Sequence, residues 1–385
     1  MGRKDIVIAA YYETKYQRRS GRSVYDFAGE VAKGVLDASH LEKKDVDGVA
    51  VLTSFSGANE PFWSVRVNEA LGLTPRWLQM VDVGGASAVV AVARAAEAIR
   101  DKRAEVVLVI GVDAPTTEWN TVYKGYRAEF EEPYGPMGPP GLFALFQRRV
   151  MKELKIKDEH LGKIAITQRD HARLNPNALL RDPMTMDDYL KSKMISSPLR
   201  LFDSVMFCDG GGAIIVTTEE RAASITDRPV YVLGWGEFHN YAGADPAPDV
   251  TLTGFRECAY RAFKEAEIRP EDVKTFQPYD DFTVAVALQL AEHMFTTKEN
   301  LPKYIEETDF SINGDLPLNT GGGQLSVGQP GLAGGMVNLI EGIRQLRGEG
   351  EKRQVKNANP TVVTGLGVVT LARNWHSSIT MVLGR

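Results

Sequence analysis

Short β-branched runs alternate with helical stretches in this chain, and the alternation is written twice. Ile6-Val7-Ile8 reads as a strand, and Val24 to Ala38 has the apolar spacing of a helix. Val46 to Leu52 is a second strand, Phe62 to Leu71 a helix and Trp77 to Val83 a third strand. The alanine-rich run from Ala86 to Arg100 is strongly helical, and Val106 to Ile110 is a buried-strand run ending at Gly111. The second half has the same grammar. Val230 to Leu233 parallels the first strand, and Leu252 to Ala266 the first helix. Asp272-Val273 leads into a strand as Asp45-Val46 does. A glycine-rich turn then opens a helix through Gly342-Ile343-Arg344, matching Ala98-Ile99-Arg100, and Thr361-Val362-Val363 matches Val106 to Ile110. The predicted class is a duplicated α/β fold, its halves at residues 1–225 and 226–385. A period of roughly two hundred residues is far too long for a solenoid.

Composition removes several functional classes. Of 385 residues, 43% are hydrophobic and 25% charged, as in an ordinary globular protein. A net charge of −5 gives no general attraction to nucleic acid. Two cysteines, Cys208 and Cys258, are too few for a disulfide framework or a cysteine-rich zinc site. The six histidines lack metal-ligand spacing, so no metal is expected. No basic-then-apolar leader precedes the first strand, and no apolar run reaches the ~18 residues of a membrane span. Met1-Gly2 alone is poor evidence for myristoylation. The expected setting is cytoplasmic, without a membrane or nucleic-acid partner.

An insertion at about 113–199 interrupts the first half. It is rich in aromatic, proline and charged residues. Glu131 to Pro140 is too rich in proline and glycine for regular helix or central strand, whereas Leu142 to Leu154 looks helical. A long loop region over a rigid sheet is a common place for substrate contacts, and equally suits a packing or dimerisation arm. Arg347 to Lys356 reads as a solvated loop.

The motifs, in order along the chain, resemble the thiolase superfamily near the sterol-carrier-protein-type branch. Ile6 to Tyr16 is similar to that branch's opening strand and Thr-Lys-aromatic turn, and Asp209-Gly210-Gly211-Gly212-Ala213 to its Asp-Gly-Ala-Ala strand entry. Tyr279-Asp280-Asp281-Phe282 stands where the family has His-Asp-Cys-Phe or Asn-Glu-Ala-Phe. Leu316 to Gly323 matches the Asn-x-x-Gly-Gly approach to the catalytic histidine, and Gln345 to Glu349 with Arg353 to Val355 a family surface stretch. The resemblance implies a layered α/β/α/β/α fold, a homodimer and a coenzyme A thioester as substrate.

The departures matter more than the matches. The turn Gly84-Gly85-Ala86-Ser87 has Gly85 at the nucleophile position, and Gln329 replaces the activating histidine. Thr364 to Gly367 lies where many thiolases carry a second cysteine or histidine. The thiolase-like aldolases of steroid side-chain breakdown also lack the nucleophile and carry Tyr-Asp-x-Phe-Thr, here Tyr279 to Thr283. Those relatives carry a second tyrosine in the glycine-rich loop, absent here. They work with a small zinc-ribbon/OB-fold partner, so such a partner is implied.

Thiolase chemistry needs a thiolate and a base, and Gly85 supplies neither. What remains is a helix-opening turn whose backbone N–H groups suit a thioester oxyanion, at Gly84, Gly85 and Ser87, with Gly322 and Gly323 opposite. Ser87 as a substitute nucleophile lacks an evident base. Tyr279 is the first acid–base candidate. Adjacent Asp280 and Asp281 face opposite ways in extended backbone; Asp281 is assigned to the site and Asp280 to structure. Asn319 and Gln329 are amide donors for a thioester carbonyl, and His376, after Asn374-Trp375, is the histidine best placed for proton transfer. Each has a plain alternative as a packed or loop-holding residue. The expected function is retro-aldol cleavage of a β-hydroxyacyl- or β-ketoacyl-CoA without a cysteinyl intermediate, in a catabolic pathway. The rivals are a thiolase with an atypical site and a non-catalytic acyl-CoA-binding subunit. The aromatic insertion (Trp119, Tyr123, Tyr126, Phe130, Tyr134, Phe143, Phe146) hints at a bulky acyl group.

Overall fold

The computed structural model describes residues 4–57, 60–118, 129, 133, 135, 138–245, 249–369 and 375–385. Among them, nine strands form one sheet in the order β3-β2-β4-β7-β1-β8-β11-β10-β9. The first five are Trp77–Val81 (β3), Gly48–Leu52 (β2), Val106–Asp113 (β4), Gly210–Thr218 (β7) and Ile6–Glu13 (β1). The last four are Val230–His239 (β8), Ser377–Gly384 (β11), Thr361–Leu366 (β10) and Thr275–Gln277 (β9). A two-stranded ribbon, Met194–Ser196 (β5) with Leu199–Arg200 (β6), stands apart.

The duplication is visible in pairing direction. In the first half β2·β4 is parallel, then β4·β7 and β7·β1 are antiparallel. In the second half β9·β10 is parallel, then β10·β11 and β11·β8 are antiparallel. The halves join edge to edge, Val7 opposite Tyr231 and Ile8 opposite Val230. β3 is an additional parallel strand at the outer edge of the first half.

Helices cover both faces, so interior strands read as unbroken apolar runs; all eight residues of β4 are buried. Val24–Ser39 (α1) and Trp63–Leu71 (α2) pack on the outer face of the first half. A capping box starts α1: Ser23 Oγ accepts from Asp26 N at 3.2 Å, and the Asp26 carboxylate accepts from Ser23 N at 2.9 Å. Ser87–Arg100 (α3) and the last long helix, Gly335–Arg347, share a central layer with the inner faces of both halves. Phe255–Ala266 and Thr283–Glu292 cover the outer face of the second half. Those five layers are the expected α/β/α/β/α arrangement.

The described part of the insertion is more ordered than a loop region. It carries Gly138–Leu154 (α4), Asp158–Arg173 (α5) and Met186–Lys191 (α6). Gly138-Pro139-Pro140, expected to be irregular, forms the first turn of α4. Proline is tolerated there because the first N–H groups of a helix have no intrahelical partner. Phe143 of α4 stacks on Phe282, with centroids 4.0 Å apart. Trp119, Tyr123, Tyr126, Phe130 and Tyr134 lie outside the described residues. The remaining helices are Glu219–Ala222 (α7), Phe255–Ala266 (α8), Thr283–Glu292 (α9), Leu301–Glu307 (α10), Gly323–Val327 (α11) and Gly335–Arg347 (α12). No helix among the described residues is long and apolar enough to cross a membrane.

Candidate active site

The turn after β9 carries Tyr279, and its hydroxyl points across the central layer at the start of α3. A Cβ built on Gly85 would stand 2.1 Å from Tyr279 Oη and 2.6 Å from Leu366 O. The tyrosine hydroxyl therefore fills the space that a side chain at position 85 would need. Gly85 is thus a steric requirement of Tyr279 in its present position. Gln329 completes the pair by donating from Nε2 to Tyr279 Oη at 3.1 Å.

Both partners are held through their backbone. Tyr279 N donates to Thr364 Oγ1 at 2.8 Å, and Tyr279 O accepts from Gln289 Nε2 at 2.8 Å. Thr364 in turn donates to Gln289 Oε1. His293 stacks a further layer beneath, its ring nitrogens on Gln289 O and Thr380 Oγ1, both at 2.8 Å. Burial lowers the His293 imidazole to about 4, so it is neutral and structural. Gln329 is zipped onto the strand-like segment before β7: its N donates to Met206 O at 2.9 Å and its O accepts from Cys208 N at 3.0 Å.

Burial pushes the Tyr279 hydroxyl above its ordinary range; Asp281 and Asp280 add to this, and the amides of Gln329 and Gln324 oppose it. The phenol is thus neutral at physiological pH. Asp280 is fully buried and accepts from Gln324 N at 3.0 Å, Leu325 N at 3.2 Å and Asn338 Nδ2 at 2.8 Å. Burial still raises it to about 7 against those donors. It ties the glycine-rich loop to α9's entry. Asp281 is only partly buried as a residue, yet its Oδ1 is shielded and has no hydrogen-bond partner among the described residues. Burial, then the neighbouring Asp280, lifts it well above the carboxylate range.

The other expected site residues lie nearby but are spent on the scaffold. Ser87 is buried; its hydroxyl donates to Gly84 O at 2.6 Å and accepts from Val83 N at 3.0 Å, so it closes the turn and is not free to attack. Asn319 does not reach the Tyr279 hydroxyl. Its Nδ2 donates to Pro278 O at 2.9 Å and its Oδ1 accepts from Gln168 at 2.7 Å, holding a backbone at φ 44°. Gly322 and Gly323 serve close approach: side chains there would meet Ala172 Cβ at 2.6 Å and Asp280 Oδ2 at 2.0 Å. His376 sits at the β10–β11 hairpin, where its N donates to Val368 O at 2.8 Å. That hairpin reaches Gly84, whose Cβ would lie 3.3 Å from Gly367 Cα. Trp375 anchors it, packed edge-on against Phe146 at 5.4 Å.

Gln289, Asn338 and Gln324 were not singled out from sequence, and Thr364 was noted only for its place in the Thr364 to Gly367 segment. The available signal was a polar residue inside an apolar helical run, as Gln289 is within Thr283–Glu292. The insertion contributes here too: His171 Nδ1 meets Leu318 O at 2.9 Å, and Asn175 Nδ2 donates to Gly321 O at 2.9 Å. α5 thus buttresses the glycine-rich loop. Cys208 and Cys258 are buried, and burial pushes both thiols up, which disfavours the thiolate. No metal-holding group of His, Cys, Asp or Glu occurs among the described residues.

Comparison with known proteins shows the family of this fold. Residues 6–220 match the family "Thiolase, N-terminal domain", and residues 236–385 match "Thiolase C-terminal domain-like". The chain is similar to an acetyl-CoA acetyltransferase of Methanothermobacter thermautotrophicus, 27% identical over 94% of this chain and 96% of the relative. It is equally similar to the 17-hydroxy-3-oxo-4-pregnene-20-carboxyl-CoA lyase of Mycobacterium tuberculosis, 29% identical over 93% of this chain and 95% of the relative. Among solved structures, the Ltp2-ChsH2(DUF35) aldolase superposes with a TM-score of 0.86 at 26% identity, covering 99% of this chain and 97% of that one. Matched over residues 6–220 and 236–385, the chain belongs to the thiolase family.

Proposed function

We propose that this protein cleaves a carbon–carbon bond of a β-hydroxyacyl-CoA by a retro-aldol reaction, with Tyr279 as the proton-transferring residue. The observation that carries this is the overlap of the Tyr279 hydroxyl with the side-chain position of residue 85. An acyl-enzyme route needs a thiolate, and burial disfavours ionisation of both cysteines of the chain.

The proton inventory favours a neutral phenol. In a retro-aldol step the β-hydroxyl loses its proton, the Cα–Cβ bond breaks, and its electron pair enters the thioester enolate. That enolate takes a proton at Cα, leaving a shortened acyl-CoA and an aldehyde or ketone. The proton removed from oxygen balances the one delivered to carbon, so one neutral phenol serves both ends in a concerted exchange: as the Cα–Cβ bond breaks, Tyr279 delivers its proton to Cα while its oxygen takes up that of the β-hydroxyl, and it is a neutral phenol before and after. The Gln329 amide orients Tyr279 and stabilises charge developing on its oxygen. Asp281 is the reserve proton carrier. The Gly84–Gly85 turn at the α3 N-terminus supports the thioester oxyanion.

Phe207 and Val368, 36% and 49% exposed, are the surface residues next to the site, the first bridged to Gln329 and the second against Gly84, and the reading places the substrate's entry on their side. The similarity to the Ltp2-ChsH2(DUF35) aldolase supports a DUF35-type partner in this reading, and the reading keeps the homodimer as the chain's assembly. The division at residues 1–225 and 226–385 is retained as the domain boundary. The test is intact-mass analysis after incubation with a radiolabelled β-hydroxyacyl-CoA panel. The proposal expects label only in small-molecule products; an acyl adduct on Cys208 or Cys258 overturns it.

A further inference from the structure

Gln324 is the polar group of this site that the cleavage step does not use. It is fully buried in α11, beside the Tyr279–Gln329 pair. Its amide nitrogen lies 3.5 Å from Asp280 Oδ1 and also favours charge on the Tyr279 oxygen. Its Oε1 is buried and has no hydrogen-bond partner among the described residues. That oxygen lies over Gly334, where a Cβ would stand 2.1 Å from Gln324 Oε1 and 2.9 Å from Gln329 Cγ. The two glutamines thus converge over one glycine, and only the absence of a side chain there leaves the oxygen its place.

A buried carbonyl oxygen without a donor is costly to keep, and a bound group that donates to it recovers that cost. Such an atom, on the side chain whose amide acts on the Tyr279 hydroxyl, defines a position for an O–H donor. Resting on the retro-aldol reading, the geometry points to Gln324 as the specificity-determining residue that recognises the β-hydroxyl of the substrate through Oε1. A hydroxyl has the proton this acceptor needs. A β-oxo group would set acceptor against acceptor, and an unsubstituted chain would leave the oxygen unpaired. The bond belongs to the bound substrate. Rotation about the C–O bond then hands the hydroxyl proton to Tyr279, so Gln324 governs binding more than the cleavage rate.

Uncleavable CoA thioethers separate this from turnover, because a thioether cannot form the enolate. The probes are S-(3-hydroxy-3-phenylpropyl)-CoA against S-(3-phenylpropyl)-CoA, and S-(3-hydroxybutyl)-CoA against S-butyl-CoA. Calorimetry on the full chain with its partner present is expected to show the hydroxylated member binding at least about tenfold tighter. The preference should collapse in Gln324→Met, which removes the acceptor, and persist in Gln324→Glu, which keeps one. No preference in the unsubstituted protein, or one that survives Gln324→Met, overturns the assignment; the first result does not depend on any variant folding. Absence of binding by every probe overturns both this and the acyl-CoA site. A hydroxyl preference without cleavage of 3-hydroxy-3-phenylpropanoyl-CoA keeps Gln324 and overturns only the retro-aldol step.

Discussion

α3 and α12 occupy equivalent places in the two halves, side by side in the central layer, yet they carry different burdens. α3 is built of alanine and valine, and its one polar residue at the site, Ser87, is consumed in closing its own turn. α12 is buried along almost its whole length and still carries Asn338, Glu341, Arg344 and Gln345. Asn338 Nδ2 donates to Pro278 O and Asp280 Oδ1, both at 2.8 Å. Glu341 accepts from Thr320 Oγ1 at 3.0 Å and pairs with Arg344 at 2.7 Å and Arg353 at 3.2 Å. One copy of the repeat supplies space and a helix terminus; the other supplies the polar frame that aims Tyr279. A duplicated fold becomes an active site when only one copy takes on buried polarity.

Removing the aimed group should have the largest effect. Tyr279→Phe deletes the hydroxyl and keeps the ring, and kcat is expected to fall by about 10³-fold while the melting temperature moves little. A fall below tenfold in steady-state assays would shift the chemistry to Asp281.

The polar frame of α12 comes next, read by pH. Burial alone would raise Glu341, but Arg353 and Arg344 outweigh it and hold the carboxyl at about 2. The folded value lies below the ordinary 4.5, so this stabilisation is complete above that pH and is lost as pH falls towards 2; it amounts to about 3 kcal/mol. Glu341→Gln should cost about that much in denaturant melts at pH 7 and flatten the acid limb between pH 5 and 2. An unchanged acid limb would remove Glu341 from the frame.

On the α3 side the effects should be steric. Gly85→Ala puts a methyl 2.1 Å from Tyr279 Oη. Displacing the hydroxyl should lower kcat by about 10²-fold, with about 1–3 kcal/mol of overpacking. A fully active Gly85→Ala protein would show that Tyr279 does not need its present position. Smallest of all, Ala95→Gly in the middle of α3 should cost about 1 kcal/mol of stability and leave both kcat and KM unchanged. A kinetic change there would mean that α3 contributes more than packing.

Much of this was legible in the chain. The repeated strand–helix grammar predicted the duplication, because both copies retain the apolar periods their burial demands, and the family resemblance implied the layers. Tyr279, Gln329 and Gly85 stood out as substitutions inside recognisable turns. What the sequence could not convey was direction. Asn319, Gly322 and Gly323 belong to the same loop as Gln329, but a left-handed backbone at Asn319 and contacts to the insertion turn them inward. Nor is the pairing of Asn338 with Asp280, 58 residues apart, readable from either residue alone. The aid of α5 to the glycine-rich loop was hidden for the same reason: a helix's partner is set by tertiary packing, not by its own period.

The most direct test of the account is the product balance of 3-hydroxy-3-phenylpropanoyl-CoA incubated with the chain and a DUF35-type partner, with and without free CoA. The account predicts benzaldehyde and acetyl-CoA in equal amounts at a rate independent of added CoA. Strict dependence on free CoA, with two acyl-CoA products from the 3-oxo analogue and none from the 3-hydroxy compound, would contradict it and return the protein to thiolysis.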